Sequence, residues 1–351
     1  MIAAIGIVLV LVALIDIFQT VILPRPIIGS RVGLSRSIVG FTWRAWRWYC
    51  LRLAPSPRER RLALYAPSVL VLTLAIWVLV LMVGYGLVLY ALRDEAHPAL
   101  VDVWTAIYFA GTSLLTIGFG DVVVTSALGR AVAVMAGASG LVVVALTITF
   151  VFSLYAFFQR RELLVTTLDQ RAGGAPPSGV ALLETHGTLG MTGDLARIFA
   201  DWEIWAAEVL DSHLAYPLLG FFRSSHDNES WVSALGAMLD AATLCETTVE
   251  GVVAGQAAML RRAGSHLVED VTAYFRMEHE HGAGVERVEF DAARERLRAA
   301  GYRLKDAEPA WRDFNSLRAQ YAGDLNSMAR FWAVPPAQWI GDRSPMPHAP
   351  V

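Results

Sequence analysis

The sequence has few charged residues, and it distributes them unevenly. Charged side chains make up 17% of the 351 residues, whereas apolar side chains make up 55%. So little charge excludes an ordinary soluble protein, yet the chain is too polar to lie wholly within a membrane. Residues 1–161 hold 13 arginines and 6 acids, whereas residues 162–351 hold 16 basic and 26 acidic residues. This division predicts a membrane part followed by a soluble part.

Two further scarcities limit the function. Cysteine is rare, and the second part of the chain has no excess of basic residues. The two cysteines, Cys50 and Cys245, lie far apart and have no framework spacing. A disulfide-stabilised scaffold is therefore not expected, and a reducing cytosol fits the second part. Its acidic balance gives no indication of nucleic-acid binding.

Three long stretches contain almost no charge. They are residues 1–22, the 31 residues between Arg61 and Arg93, and the 29 residues between Arg130 and Arg160, and each holds at most one charge. A helix of about 20 apolar residues can cross a bilayer. We predict three transmembrane helices, at residues 1–22, 67–92 and 127–159. The first is interpreted as an anchor, because it has neither a basic leader nor a small-residue cleavage site. The apolar segment 102–115 is too short to cross and predicts a helix that enters the membrane and returns.

The arginines predict the orientation of these helices. Residues 23–66 contain nine arginines and one acid, whereas residues 94–126 contain four acids and neither lysine nor arginine. Short basic loops stay in the cytoplasm. We therefore expect a protein of the plasma membrane with its N-terminus outside, the 94–126 connection outside, and its C-terminal half in the cytoplasm.

Residues 116–121, with the sequence TIGFGD, lie between two of the predicted spans. Irregular backbone at membrane depth is tolerated only where it is buried in protein or lines an aqueous path. Glycine tolerates positive φ, so alternating Gly118 and Gly120 with ordinary residues allows consecutive carbonyl oxygens to point the same way. The pattern predicts a row of backbone oxygens that replaces the water around a dehydrated cation.

In this setting TIGFGD resembles the selectivity filter of potassium channels, whose pattern is Thr-x-Gly-Tyr/Phe-Gly-Asp. The phenylalanine form is similar to that of two-pore-domain channels. The resemblance covers about residues 67–159 and implies an outer helix (67–92), a pore helix (102–115), a filter (116–121) and an inner helix (127–159). It implies a channel for K⁺ without an organic cofactor, and no enzymatic activity is expected because the second half has no evident nucleophile-base-acid arrangement. It also implies that K⁺ is coordinated by oxygens of Thr116, Ile117, Gly118, Phe119 and Gly120, with Asp121 at the outer mouth.

The resemblance implies supporting roles for residues of the pore helix. Tyr108 and Phe109 fall where the family keeps aromatic residues that brace the filter. Thr112 occupies a position that bacterial members often give to an acid, which leaves inactivation behaviour open.

On the inner helix, Gly140 falls where these channels commonly carry a hinge glycine. Glycine weakens a helix by about 1 kcal/mol relative to alanine, so it can localise bending. The alternative is close helix packing through the small residues 137–140. Helical spacing from Gly140 directs Val144, Ile148 and Val151 toward the cavity.

The chain contains one such motif, because GTLG at residues 187–190 has neither the aspartate nor a membrane setting. A four-fold ion cage then requires a homotetramer, surrounded by membrane lipids. Two alternatives remain open: a poorly selective cation channel, and a membrane-anchored signalling or scaffold protein with a non-conducting pore domain.

The cytoplasmic segment 23–66 is basic and aromatic. Residues 36–52 suit an amphipathic helix at the lipid interface. Only Arg44 and Arg47 keep the three-residue step of a voltage sensor, so that function is not expected. Asp16, in the first span, is expected to pair with Arg25 or Arg31, because it lies near the basic interface; the alternative is a functional intramembrane acid.

Residues 160–334 predict an all-α cytosolic domain, followed by a tail at 335–351. Helical patterns lie near residues 192–215, 229–250, 254–278, 286–300 and 310–332. Strand alternation is scarce, which argues against the nucleotide-binding and cyclic-nucleotide modules of many potassium channels. The His and acid clusters at 226–229 and 278–281 are interpreted as solvated turns and a helix cap, with metal regulation as the alternative. The whole chain is thus predicted to be an all-α membrane protein with three transmembrane helices, a re-entrant pore helix and a helical cytosolic domain.

Overall fold

The computed structural model describes residues 1–23, 33–174, 177–224, 230–251, 254–278, 284–334 and 339. Within these ranges the regular secondary structure is helical, apart from one short two-stranded sheet and an isolated antiparallel bridge between Val249 and Leu304. The α-helices are α1 (Ile2–Ile17), α2 (Leu34–Cys50), α3 (Pro55–Ala63), α4 (Tyr65–Ala91), α5 (Val103–Leu114), α6 (Ala127–Arg171), α7 (Gly179–Thr188), α8 (Leu195–Ala215), α9 (Trp231–Thr247), α10 (Ala254–Phe275), α11 (Arg287–Ala299), α12 (Ala307–Arg318) and α13 (Ala322–Trp332). The strands are β1 (Ala96–His97) and β2 (Val123–Val124), which pair antiparallel.

Three helical stretches are long and apolar enough to cross a membrane. They are Ile2–Ile22, in which α1 continues through a π-helical turn, Pro55–Ala91 and Ala127–Arg171. The prediction of an all-α membrane protein is therefore confirmed.

The third apolar helix continues past residue 159, where the predicted transmembrane span ends. Helix α6 continues to Arg171, because the sequence after residue 159 has no helix breaker before Gly173 and Gly174. Both of these glycines have positive φ, 78° and 134°, a conformation that ends a helix.

The chain forms two compact units, and the basic segment 23–66 is divided between them. The N-terminal unit comprises residues 1–46 and 64–155, and the C-terminal unit comprises residues 47–63 and 156–351. Sequence reasoning treated 23–66 as one cytoplasmic segment, because its composition is uniform.

Helix α4 is the scaffold of the N-terminal unit. It packs against α1 on one side and α5 on another, and glycines allow both helices to approach closely. A Cβ on Gly86 would lie 2.8 Å from the Cα of Ile107 in α5, which is too close for any side chain. Small residues at such crossings allow helices to pack in a membrane, where the hydrophobic effect does not drive association.

Asp16 joins three helices of the N-terminal unit. Its carboxylate accepts hydrogen bonds from the backbone N–H of Ser35 at 3.1 Å, from the Ser35 hydroxyl, and from Trp77 Nε1 at 2.7 Å. The acid therefore caps the start of α2 and ties α1 to α4. The predicted partners Arg25 and Arg31 lie outside the described residues.

Helix α9 is the centre of the C-terminal unit. Every residue from Trp231 to Cys245 is buried, as expected for a helix surrounded by others, and α9 contacts α7, α8, α10, α12 and α13. The predicted helix 310–332 is two helices, α12 and α13, and α7 was not predicted. Both cysteines lie in this unit, buried and free.

Candidate ion-conduction site

Helix α5 leads directly into the TIGFGD loop at its C-terminal end. Asp102 caps its first turn, because Oδ1 accepts hydrogen bonds from the N–H of Thr105 at 2.7 Å and from its hydroxyl at 2.9 Å. The helix is apolar and short, and it ends at Leu114. Its bounds agree closely with the predicted helix 102–115.

The loop that follows has a regular alternation of backbone conformation. Thr116, Gly118 and Gly120 have positive φ, at 56°, 60° and 79°, whereas Ile117 and Phe119 do not. Alternating left-handed and right-handed residues turns successive carbonyl oxygens toward one side of the strand. Sequence reasoning identified the two glycines but missed Thr116, because a residue with a Cβ rarely adopts this conformation.

Hydrogen bonds from the end of α5 hold the N-terminal end of the loop. The carbonyl oxygen of Thr112 accepts from the N–H groups of Ile117 at 2.8 Å and Gly118 at 3.2 Å, and Ser113 O accepts from Thr116 N at 3.1 Å. The Thr112 hydroxyl donates back to Phe109 O at 2.9 Å. Thr112 therefore touches the loop through its backbone, and its hydroxyl stays within α5.

Tyr108 contacts the C-terminal end of the loop. Its hydroxyl donates to Asp121 Oδ2 at 2.9 Å, and its ring stacks on Phe119 with an interplanar angle of 8°. Phe109, the other predicted bracing residue, is buried in the core with α4 and α1. Of the two aromatic residues, Tyr108 is thus the one placed against the loop.

The chain after the loop is tied to the chain before α5. Strands β1 and β2 pair Ala96 with Val124. Next to this pair, Glu95 O accepts hydrogen bonds from the N–H and hydroxyl of Thr125, at 2.8 and 2.7 Å. This contact, which sequence reasoning missed because two-residue strands leave no pattern, fixes both ends of the re-entrant segment.

The loop is exposed in a single chain. Residues 115–121 are all exposed, and Ile117 and Phe119 are 50% and 67% exposed. A backbone this open cannot face lipid, because unpaired polar groups there cost several kcal/mol each.

The inner helix packs against the end of α5 through its glycines. A Cβ on Gly140 would overlap Leu114 O, whereas a Cβ on Gly137 would lie 3.3 Å from Ser113 O. Tyr85 of α4 is within hydrogen-bond distance of the Ser139 hydroxyl, at 2.7 Å. Helix α6 runs without interruption through Gly140.

The predicted cavity residues lie further along α6. Val144 and Ile148 are exposed, and Val151 is half-buried, in a single chain. The helix therefore leaves these side chains available to face a cavity or another copy.

The predicted polar clusters lie elsewhere. Residues 226–229 and 279–281 are outside the described residues, and no group of three or more metal-binding side chains occurs in the part of the chain that the structure describes.

Comparison with known proteins agrees with this geometry. Residues 76–156 match a family model for ion channels. An uncharacterized membrane protein of Bacillus subtilis (strain 168), YdjJ, is 25% identical over 205 residues, which cover 57% of this chain and 59% of that protein. The delayed-rectifier potassium channel regulatory subunit KCNS2 of Homo sapiens and of Mus musculus is 31% identical over 78 residues, 22% of this chain and 16% of that protein. No solved structure matches the chain.

The matched regions define the class of the N-terminal unit. The chain spans about three fifths of the length of YdjJ and under a fifth of KCNS2. Residues 76–156 are therefore similar to an ion-channel domain, in a chain with three helices long and apolar enough to cross a membrane.

Proposed function

We propose that the chain forms a homotetrameric channel that conducts K⁺ selectively and passively across the plasma membrane. The observation that carries this proposal is the alternating backbone of residues 116–120, on a loop that one chain leaves exposed. Further copies of the chain are the surface that covers it, since lipid cannot.

The stoichiometry follows from the single motif. Each chain contributes one row of oxygens, from Thr116 to Gly120, and a closed cyclic assembly of four chains surrounds an axis with rings of four oxygens. Such rings replace the hydration shell of K⁺. The name of KCNS2, similar over 78 residues, supports K⁺ as the ion.

The distribution of charge along the chain supports the proposed orientation in the membrane. Asp121 lies at the outer end of the loop and would concentrate cations there. The arginine-rich segment 23–66 supports a cytoplasmic location for the opposite face. The C-terminal unit would then be cytosolic, as a helical regulatory domain.

The inner helix is the proposed gate. Val144, Ile148 and Val151 would form an apolar constriction that closes by excluding water. The overlap that a side chain at Gly140 would make with Leu114 supports the packing alternative for this glycine. Bending of α6 at Gly140 stays a prediction.

Ion flux into vesicles tests the function. The full chain is reconstituted in lipid vesicles, and flux is measured separately under K⁺ and Na⁺ gradients. We expect K⁺ flux to exceed Na⁺ flux at least about a hundredfold, because a hundredfold preference corresponds to about 2.7 kcal/mol. Gly118→Ala should abolish this preference, because alanine disfavours a φ of 60°.

A second glycine provides the matched control. Gly190, in the C-terminal unit, has a φ of 68°, and a Cβ added there, like one added at Gly118, would have no other atom within 4 Å. Gly190→Ala introduces the same local strain away from the loop and should leave the K⁺ preference intact. Equal K⁺ and Na⁺ flux in the wild type would indicate a poorly selective cation channel. No flux from intact tetramers would favour a signalling or scaffold protein.

A further inference from the structure

The C-terminal unit contains both chain segments that lead into the pore helices. Residues 47–63 lie directly before α4, and residues 156–171 are the end of α6. One short segment contacts both of them. This segment, residues 216–223, contains a 3₁₀ helix at Pro217–Phe221, and we name it the bridging segment.

Arg161 connects α6 to the bridging segment. Its buried guanidinium donates to Leu219 O at 2.9 Å and to Phe222 O at 2.8 Å, and it pairs with Glu162 at 3.0 Å. The ring of Phe158 also packs against Phe222, with centroids 5.6 Å apart.

Two residues of α8 complete the surroundings of Arg161. Trp205 Nε1 donates to the backbone oxygen of Arg161 at 3.0 Å, and Nε2 of His213 lies 3.1 Å from its Nη1. The side chain of Arg161 is thus held on several sides by groups of fixed position. Burying a guanidinium in this way costs desolvation energy. The best-documented role of such a buried charge is to fix the register of one structural element against another.

Arg223 connects the other end of the bridging segment. Its Nη1 faces Glu59 of α3 at 3.9 Å, and its Nη2 donates to Trp332 O at 2.8 Å and Ala333 O at 2.7 Å. The same arginine therefore contacts the segment before α4 and closes the C-terminal end of α13. Arg47 adds a bond from its Nη2 to Arg330 O at 2.8 Å.

We propose that the bridging segment transmits the state of the C-terminal unit to the pore, with Arg161 and Arg223 as its two contacts to the segments that lead into the pore helices. This inference rests on the proposed channel function. It assigns a positioning role to both arginines: they set the register of α6 and α3, and neither touches the ion.

Single-channel recording of the full chain in planar bilayers tests the proposal. Arg161→Met keeps most of the volume and removes the donors. We expect the ratio of open to closed channels to change by about fivefold or more, the usual range of allosteric coupling, with unitary conductance and K⁺ preference unchanged. Arg160→Met removes the same charge from the neighbouring position, where the side chain is 67% exposed, and should leave the ratio unchanged.

A double variant distinguishes coupling from local structure. If both arginines act through one segment, Arg161→Met combined with Arg223→Met should change the open ratio no more than either change alone. Independent effects would multiply. If Arg161→Met does not assemble, Trp205→Phe replaces it, because this change removes the donor to Arg161 O and keeps an aromatic ring.

The outcomes separate this inference from the proposed function. An unchanged open ratio in assembled Arg161→Met or Trp205→Phe channels that still conduct K⁺ would overturn the inference alone, as would multiplicative effects in the double variant. A wild-type tetramer without conductance would overturn both proposals.

Discussion

At the residue scale, Gly140 shows how little space separates α6 from the C-terminal end of α5. A Cβ there would overlap the carbonyl oxygen of Leu114, and backbone cannot move aside as a side chain can. Gly137, one turn earlier, has its nearest contact at 3.3 Å. The two glycines thus provide a matched pair for a packing test.

We expect Gly140→Ala to destabilise the assembled protein by about 1–3 kcal/mol or more, the usual cost of overpacking. Gly137→Ala should cost much less, and could gain from the better helix propensity of alanine. The measurement is the temperature at which the purified assembly dissociates in detergent, followed by size-exclusion chromatography. Equal temperatures for the two variants would contradict the packing interpretation.

His213 is a second residue whose surroundings define its chemistry. A guanidinium can only donate, so Nε2 of His213 accepts from Arg161, and Nδ1 carries the proton and donates to Val209 O at 2.8 Å. Burial, and then the nearby Arg161, hold the pKa of His213 well below its ordinary value of 6.5.

This shift predicts a pH dependence of stability. Unfolded His213 binds a proton near pH 6.5, whereas folded His213 stays neutral. The stabilisation that comes from the neutral, buried ring is therefore complete above the pKa of the unfolded chain. It is lost as the pH falls from there toward the lower pKa of folded His213. His213→Gln retains an acceptor but does not titrate, so it should flatten the decrease of the unfolding temperature over about pH 5 to 6.5.

His266→Gln is the control, because the side chain of His266 is 64% exposed. Tryptophan fluorescence follows unfolding, since seven of the 11 tryptophans lie in the C-terminal unit. The same slope in wild type and His213→Gln would refute the assignment of a neutral, buried ring.

At the scale of the helices, the crossing of α1 and α4 depends on two glycines. A Cβ on Gly6 would lie 2.5 Å from Gly84 O, and a Cβ on Gly84 would lie 2.8 Å from Val10 Cγ2. The backbones therefore meet directly, in the manner of other small-residue crossings in membranes. Asp16, further along α1, adds a polar contact to the same pair of helices through Trp77.

Gly6→Ala should separate α1 from α4 and lower the free energy of unfolding by about 1–3 kcal/mol. Gly40→Ala, in α2, should have the opposite sign and stabilise by up to about 1 kcal/mol, because a Cβ there meets no atom within 4 Å. Thermal unfolding in detergent measures both. A neutral Gly6→Ala would show that the crossing does not contribute to stability.

The burial of Arg161 in α6 was not predicted, for a physical reason. The sequence marks Arg160 only as the end of an uncharged run and does not distinguish it from its neighbour, yet Arg160 is exposed and Arg161 is buried. The C-terminal unit supplies carbonyl oxygens that compensate the buried guanidinium of Arg161 for its lost water, and no local pattern indicates partners 58 and 61 residues away.

At the scale of the whole molecule, the proposed assembly links ion binding to tetramer stability. A K⁺ ion held by oxygens of four chains binds only the assembled state, so K⁺ stabilises that state by mass action. The effect is about 2.7 kcal/mol when K⁺ is at a hundred times its dissociation constant.

We therefore expect replacement of K⁺ by choline to lower the temperature of tetramer dissociation. Gly118→Ala tetramers should dissociate at the same temperature in both salts, because their filter no longer fits K⁺. Gly190→Ala serves as the control that keeps the K⁺ effect. Identical dissociation of the wild type in K⁺ and choline would argue against an ion bound between subunits.

The sequence by itself determined the three apolar helices, the re-entrant helix and the TIGFGD loop. Each depends on local properties: runs of apolar residues long enough to cross a bilayer, and glycines whose missing Cβ permits positive φ. Tyr108 was indicated by the resemblance to potassium channels, and the helical nature of the C-terminal half by the scarcity of strand alternation.

The tertiary structure alone decided the left-handed Thr116, the division of residues 23–66 between two units, and the burial of Arg161. Thr116 adopts its conformation where α5 presents the carbonyl groups of Thr112 and Ser113, and Arg161 is buried because the bridging segment offers it acceptors. These features depend on which distant groups meet in space, and hydropathy and residue spacing carry no information about that.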